Sequence, residues 1–318
     1  MPSDPILPLP PATGPLPPGS RTVTTDDGVD LHVEVDGDGA APLTVVLSHG
    51  FTARLAEWEL QRAALRGRAR LVLWDQRGHG RSGWTRLTAA TIDRTGRDLG
   101  QVLDAVVPRG PVVLAGHSMG GMSVMALARQ RPELFGTRIV GVFLLATSAG
   151  GLVESGPLGR AVKLVRRLGL LPLYLWLLQV CAPLVERFRL RGTAIGRRAV
   201  RRLLFGENDA HPHDVRLVQD LLEETPLPVT MAFYATFLDH DERAALQVLR
   251  RVPVTVVAAT HDRLTPAVHG REIAEATDAE LVVVPGAGHS VNLTRSHLVD
   301  EALLALLDRV GKSERQAG

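Results

Sequence analysis

The feature that most narrows the fold of this 318-residue chain is Gly116-His117-Ser118-Met119-Gly120, set between an apolar run at 112–115 and a helical pattern beginning near Met119. A G-x-S-x-G pentapeptide joining a strand to a helix is a sharp turn that holds its serine in a strained backbone conformation. Side chains at the two flanking positions would clash, so glycine is required on both sides. The turn lifts the Ser118 hydroxyl above the sheet and leaves it at a helix N-terminus, where developing negative charge is favoured.

Around this turn, apolar runs bounded by Gly, Pro and charged residues alternate with longer helical patterns. Strands are expected at 31–35, Thr44–Ser48, Arg70–Trp74, 112–115, Ile139–Leu145, Val254–Ala259 and 281–284. Helices are expected at 92–107, 119–131, 268–276 and 298–310. This alternation predicts an α/β fold, a mostly parallel sheet with helices on both faces, built from 21–149 and 247–318. Residues 150–246 break the rhythm, read as helical and hold no convincing strand run, so they are expected to form a helical lid over the carboxyl ends of the strands. Within them, 168–185 is an uncharged apolar stretch interrupted by Pro172, Gln179 and Pro183. It touches the lower length limit of a membrane span, but the interruptions favour a lid helix lining an apolar pocket. The Pro-rich residues 1–20 are expected to be a flexible tail, and they lack the positive start and continuous apolar run of a secretory signal.

Thirty-six basic residues against 34 acidic ones give no reason to expect nucleic acid as a partner. Charge is nevertheless uneven, because between 156 and 205 eleven basic residues face the single Glu186. Clustered arginine beside apolar length is the pattern of a surface that seeks an interface or attracts anions, hence an expected peripheral membrane or carrier contact through the basic lid. The one cysteine, Cys181, excludes an intrachain disulfide, fits a cytoplasmic location, and is expected to be a packing residue.

A serine hydroxyl is a weak nucleophile and needs a base. His289 is the best placed of eleven histidines, in Gly286-Ala287-Gly288-His289-Ser290 after the run 281–284. The imidazole in turn needs a carboxylate to fix its tautomer. Asp262 follows the strand Val254–Ala259, and the chain order Ser118, Asp262, His289 is the one this kind of sheet uses. Asp239 and Asp241 are rivals within the closing part of the lid. Backbone donors for an oxyanion are expected at Met119, directly after the serine, and at Phe51 in the turn Ser48-His49-Gly50-Phe51. His49, His79 and His117 are assigned to structural turns, His32 to an early strand, and His211, His213, His240 and His269 to surface or lid positions. His211 and His213 could begin a zinc site, but no further ligands with suitable spacing accompany them.

With HGF at 49–51, DQRGHGRS at 75–82, GHSMGG at 116–121, HDRLTP at 261–266 and GAGH at 286–289, the chain resembles the α/β-hydrolase superfamily, in its lidded branch of esterases and lipases. The resemblance runs from about 22 to 312, and the lid matches nothing specific. It implies an eight-stranded sheet, no cofactor, and a structural role for the turn at 75–82. Serine at 118 argues against the dehalogenases and soluble epoxide hydrolases of this fold, which carry aspartate there. Cofactor-free haloperoxidase-like members share the serine triad. The implied activity is cleavage of a carboxylic ester of a fairly apolar acyl group through an acyl-enzyme. A thioesterase or acyltransferase is the alternative, and a non-catalytic binding protein a third reading.

Overall fold

The computed structural model describes residues 15–37, 41–84, 86–152, 164–171, 173, 174, 176, 177, 180, 181, 193–206 and 210–317. Eight short, mostly aliphatic runs form the strands β1 (Ser20–Thr24), β2 (Asp30–Asp36), β3 (Thr44–Ser48), β4 (Arg70–Trp74), β5 (Val112–His117), β6 (Ile139–Leu145), β7 (Val254–Ala259) and β8 (Glu280–Val284). They make one sheet in the order β1-β2-β4-β3-β5-β6-β7-β8. The pairs β1–β2 and β2–β4 are antiparallel, and every other pair is parallel.

Alternate residues of the central strands serve two separate cores, as the period of a strand requires. Val46, Val72, Leu114 and Leu144 pack on one face with Leu99, Leu103 and Met125. Those partners lie on α2 (Ile92–Val106) and α3 (Met119–Gln130). Val45, Leu47, Leu71 and Phe143 pack on the other face with Leu65, Leu303 and Val310. Those belong to α1 (Glu59–Leu65) and to the C-terminal helix at Ser296–Ala317. A strand buried on both faces reads as a continuous apolar run, and for that reason β3 to β7 stand out in the sequence.

β1 is an addition to the expected strands. It is an edge strand in which only Val23 is buried, so SRTVT carries almost no apolar signal. It also shortens the expected tail: Gly19 O accepts from Val35 N–H at 3.2 Å, which ties residues 19 and 20 to the sheet edge. Residues 1–14 of that tail lie outside the described residues.

Between β6 and β7, the described part of 150–246 contains α4 (Ala194–Leu204), α5 (Pro212–Glu224) and α6 (Leu227–Phe237), and no strand of the sheet. The apolar stretch 168–185 differs from expectation. Its described residues Leu168, Leu170, Leu173, Trp176, Leu177 and Val180 are exposed, and so is Cys181. Among the described residues, the cavity described below is walled by α4, α5 and α6. Hydrophobicity marks a segment as apolar but carries no information about which way it faces. Among the described residues no helix is long and apolar enough to cross a membrane. After the short turn Leu246–Leu249, the chain enters β7, then α7 (Ala267–Thr277), β8 and the C-terminal helix, α8.

Candidate active site

β3 and β5 lie side by side but pass the chain to opposite sides of the sheet, β3 to β4 and β5 to β6. Their carboxyl ends therefore open a crevice at the point where strand order reverses, the usual ligand position in open parallel sheets. Ser48 and Gly116 are register partners, so the turns after the two strands leave the sheet together.

Ser118 occupies that crevice at φ 51° and ψ −117°, a left-handed conformation costly for a residue with a Cβ. Neighbours hold it there. Its N–H donates to Leu145 O at 2.9 Å, and its carbonyl accepts from Gly121 N–H at 2.9 Å and from Thr147 Oγ1 at 2.7 Å. The turn can form because a Cβ on Gly120 would stand 2.1 Å from Ser48 O. Gly50 answers the same need from the β3 side, where a Cβ would lie 2.9 Å from His117 Nδ1.

Asp262 leaves the end of β7 and is buried. Its Oδ1 accepts from the amides of Leu264 at 2.8 Å and Thr265 at 2.9 Å, and its Oδ2 lies 2.8 Å from His289 Nδ1. Thr265 Oγ1 adds a further contact, 2.7 Å from Oδ2 and 2.8 Å from Ala146 O, which pins the loop to the end of β6. Burial disfavours the charge, yet His289 and the Thr265 donors hold the carboxyl below its ordinary range. An ionised carboxylate only accepts hydrogen bonds. His289 Nδ1 must therefore carry the proton, leaving Nε2 as the basic nitrogen. The rival carboxylates point elsewhere: Asp239 pairs with Arg166, and Asp241 with Arg243.

Ser118 and His289 line one cavity of about 480 Å³. No hydrogen bond joins the two among the described residues; in unliganded sites such contacts often tighten only with substrate bound. The polar end of the cavity holds Ser118, His289, Glu57, His117 and Thr265, while Val200, Leu203, Val218, Leu221 and Phe237 make the rest apolar. Met119 opens α3, so its amide has no acceptor within the helix. The Phe51 amide follows β3 on the other side of the crevice, and the Phe51 ring packs edge-on against Phe237 at 5.0 Å.

Glu57, His117 and Thr265 were not singled out from sequence as cavity groups. Of two further histidines, His269 differs from its expected surface or lid placement, while His240 lies within the range expected for the lid. His240 and His269 are buried, with His240 Nε2 2.9 Å from Ser148 O and His269 Nδ1 3.0 Å from Ser148 Oγ. The turn at 75–82 anchors structure: Asp75 accepts from the amides of Leu55 at 2.7 Å and Arg81 at 2.8 Å. His79, enclosed in that turn, is pushed down to about 3 by burial and by the neighbouring His49. Among the described residues no group of three or more His, Cys, Asp or Glu is arranged to hold a metal ion. His211 and His213 are exposed.

Residues 45–302 match the alpha/beta hydrolase family. The chain belongs to that family. It is 27% identical over 283 residues to the dihydrolipoyllysine-residue acetyltransferase component of the acetoin cleaving system of Pseudomonas putida, covering 86% of this chain and 65% of that protein. It is 26% identical over 289 residues to 3-oxoadipate enol-lactonase 2 of Acinetobacter baylyi, covering 91% of this chain and 96% of that one. A thermophilic esterase from Thermogutta terrifontis superposes with a TM-score of 0.71 at 25% identity, over 92% of this chain and 98% of the esterase.

Proposed function

We propose that this chain is a hydrolase that cleaves a carboxylic ester of an apolar acyl group, with Ser118 as nucleophile, His289 as base and Asp262 as its orienting carboxylate. The observation that carries the reading is the Asp262–His289 hydrogen bond opening onto a largely apolar cavity that also holds Ser118. Ser118 Oγ attacks the ester carbonyl as His289 Nε2 takes its proton, and the carbonyl π electrons move onto oxygen. The amides of Phe51 and Met119 receive that oxyanion, each such donor being worth about a hundred- to a thousandfold in rate. Collapse breaks the bond to the alcohol, whose oxygen takes the proton from His289. A water molecule, deprotonated by His289, then attacks the acyl-enzyme and releases the acid with Ser118 restored.

A second reading, transfer of the acyl group to a thiol or from a thioester, draws on the name of the Pseudomonas putida relative, an acetyltransferase component. The two readings differ in acceptor, not in triad. The test is hydrolysis of p-nitrophenyl esters from acetate to palmitate by wild type and Ser118→Ala, with fluorophosphonate labelling alongside. Ester turnover and labelling that both vanish in the variant are expected. Labelling without ester turnover would favour acyl transfer, and neither signal in wild type would overturn both readings.

A further inference from the structure

Trp58, Trp74 and Trp84 are buried, whereas Trp176 is 56% exposed. Trp176 is not alone. Leu164, Leu168, Leu173, Leu177 and Val180 of the same stretch are each between 45% and 60% exposed. Scattered exposed leucines need no explanation, but a run of large apolar side chains facing outward marks a surface that something covers. Its position relative to the cavity is fixed by two contacts. Tyr174 faces Tyr234, and Arg166 donates to Leu238 O at 3.2 Å. Tyr234 and Leu238 line the cavity, so the exposed stretch sits directly outside its wall.

The cavity's α4 wall carries a different signal. Val200, Leu203 and Leu204 line the cavity, while Arg198, Arg201 and Arg202 of the same helix line a second cleft of about 320 Å³. Arg263, His261 and Phe205 complete this cleft. Among the described residues none of these four guanidinium groups meets a carboxylate, although Arg62, Arg77, Arg94, Arg129 and Arg138 are all ion-paired. Four cations around one depression, with no carboxylate beside them among the described residues, repel one another, and an anion placed between them relieves that cost.

An apolar strip and this arginine cluster flanking one cavity together select the occupant. An anionic bilayer offers acyl depth for Trp176 and the leucines, and headgroup phosphate for the arginines, at a single surface. We propose that this chain docks on an anionic membrane through the exposed strip around Trp176, with lipid phosphate seated in the Arg198–Arg201–Arg202–Arg263 cleft. The substrate class that follows, resting on the ester-hydrolase reading, is a membrane-borne acyl ester that enters the apolar cavity without crossing water.

The experiment uses full-length Ser118→Ala, so that no lipid is consumed, with vesicles of phosphatidylcholine alone or mixed with phosphatidylglycerol. Co-sedimentation with the mixed vesicles only, weakening as salt rises, is expected, together with a blue shift of tryptophan emission that Trp176→Leu removes. Arg201→Gln with Arg202→Gln should weaken partitioning about twenty-five-fold, at roughly fivefold per charge. Absence of binding to the mixed vesicles overturns the proposal, as does binding that the arginine pair leaves unchanged. A dimer in sedimentation velocity that Trp176→Glu dissociates, without vesicle binding, would mean that a second copy covers the strip. Pyrophosphate binding to the cleft without vesicle binding would assign it to a soluble phosphate. Turnover of p-nitrophenyl butyrate by wild type is measured in parallel. Turnover without vesicle binding sinks the membrane proposal alone, and vesicle binding without turnover sinks the ester reading alone.

Discussion

Glu57 and His117 form a buried ion pair in the cavity wall, Oε1 to Nδ1, at 2.9 Å. The other carboxylate oxygen of Glu57 accepts the Gly50 amide at 2.7 Å, and His117 Nε2 lies 3.2 Å from the carbonyl of His289. Both ring nitrogens thus face oxygens that only accept, which calls for a doubly protonated imidazolium beside an ionised carboxylate. Burial opposes both charges, but each group keeps its partner ionised, with His117 raised and Glu57 lowered from their ordinary values. The pair joins the turn bearing the Phe51 amide to the loop bearing His289.

Breaking this pair should cost stability in a pH-dependent way. His117 contributes fully below its ordinary 6.5, and its share is lost as pH rises through the raised folded value. Glu57 contributes fully above its ordinary 4.5, and its share is lost as pH falls through the lowered folded value. Between those two ordinary values the pair is fully stabilising. Glu57→Gln leaves the imidazole facing a neutral amide and should destabilise by about 3 kcal/mol in that window. Urea midpoints measured from pH 4 to pH 9 check this, and equal losses at every pH would show that the pair is not charged.

Asp262→Asn should lower kcat for p-nitrophenyl butyrate by about ten-thousandfold while leaving KM nearly unchanged, because the amide supports the wrong His289 tautomer. Thr265→Val removes one hydrogen bond to Oδ2 and should cost about tenfold in kcat. Steady-state kinetics on both variants decide the matter. If Asp262→Asn retained wild-type kcat, another group would be orienting His289.

Much of this arrangement is legible in the sequence, for identifiable reasons. β3 to β7 are buried on both faces and read as apolar runs, and Ser118 is bracketed by glycines that only its turn requires. Asp262 and His289 sit just past strand ends, where side chains reach the crevice. Glu57 gives no such sign. It lies in the short turn Leu55–Trp58, and its meaning comes from His117, sixty positions away in sequence. Thr265 is equally silent, since its hydroxyl matters only through Ala146 and Asp262. The exposed strip around Trp176 misleads in the opposite sense, because an apolar run does not declare whether it faces a pocket or solvent.

Gly120→Ala should be far more damaging than replacement of a glycine that faces open space. Its Cβ would meet backbone at Ser48 O, which cannot step aside without moving β3. A loss of about 4 kcal/mol, or no folded protein, is expected. Gly110 at φ +90° has nothing within 4 Å of its Cβ, so Gly110→Ala bears only conformational strain, about 1 kcal/mol. Thermal unfolding of the two variants side by side separates steric collision from backbone strain. Similar losses would mean that α3 can retreat from the β3 turn.

If the apolar cavity receives the acyl chain, narrowing it should change chain-length preference without harming the chemistry at Ser118. Leu221 is buried on α5 and lines the cavity, so a larger side chain there can extend into empty space. Leu221→Trp should cut kcat/KM for p-nitrophenyl palmitate at least about tenfold, since an overfilled site forces strain on whatever enters it. The acetate ester is short enough to stay near Ser118, and its kcat/KM should be unchanged. An unfolding midpoint close to wild type is expected, because the tryptophan fills space and displaces no packed neighbour. Uniform loss across the whole ester series, with a normal midpoint, would place the acyl group elsewhere and leave this cavity to the alcohol side of the substrate.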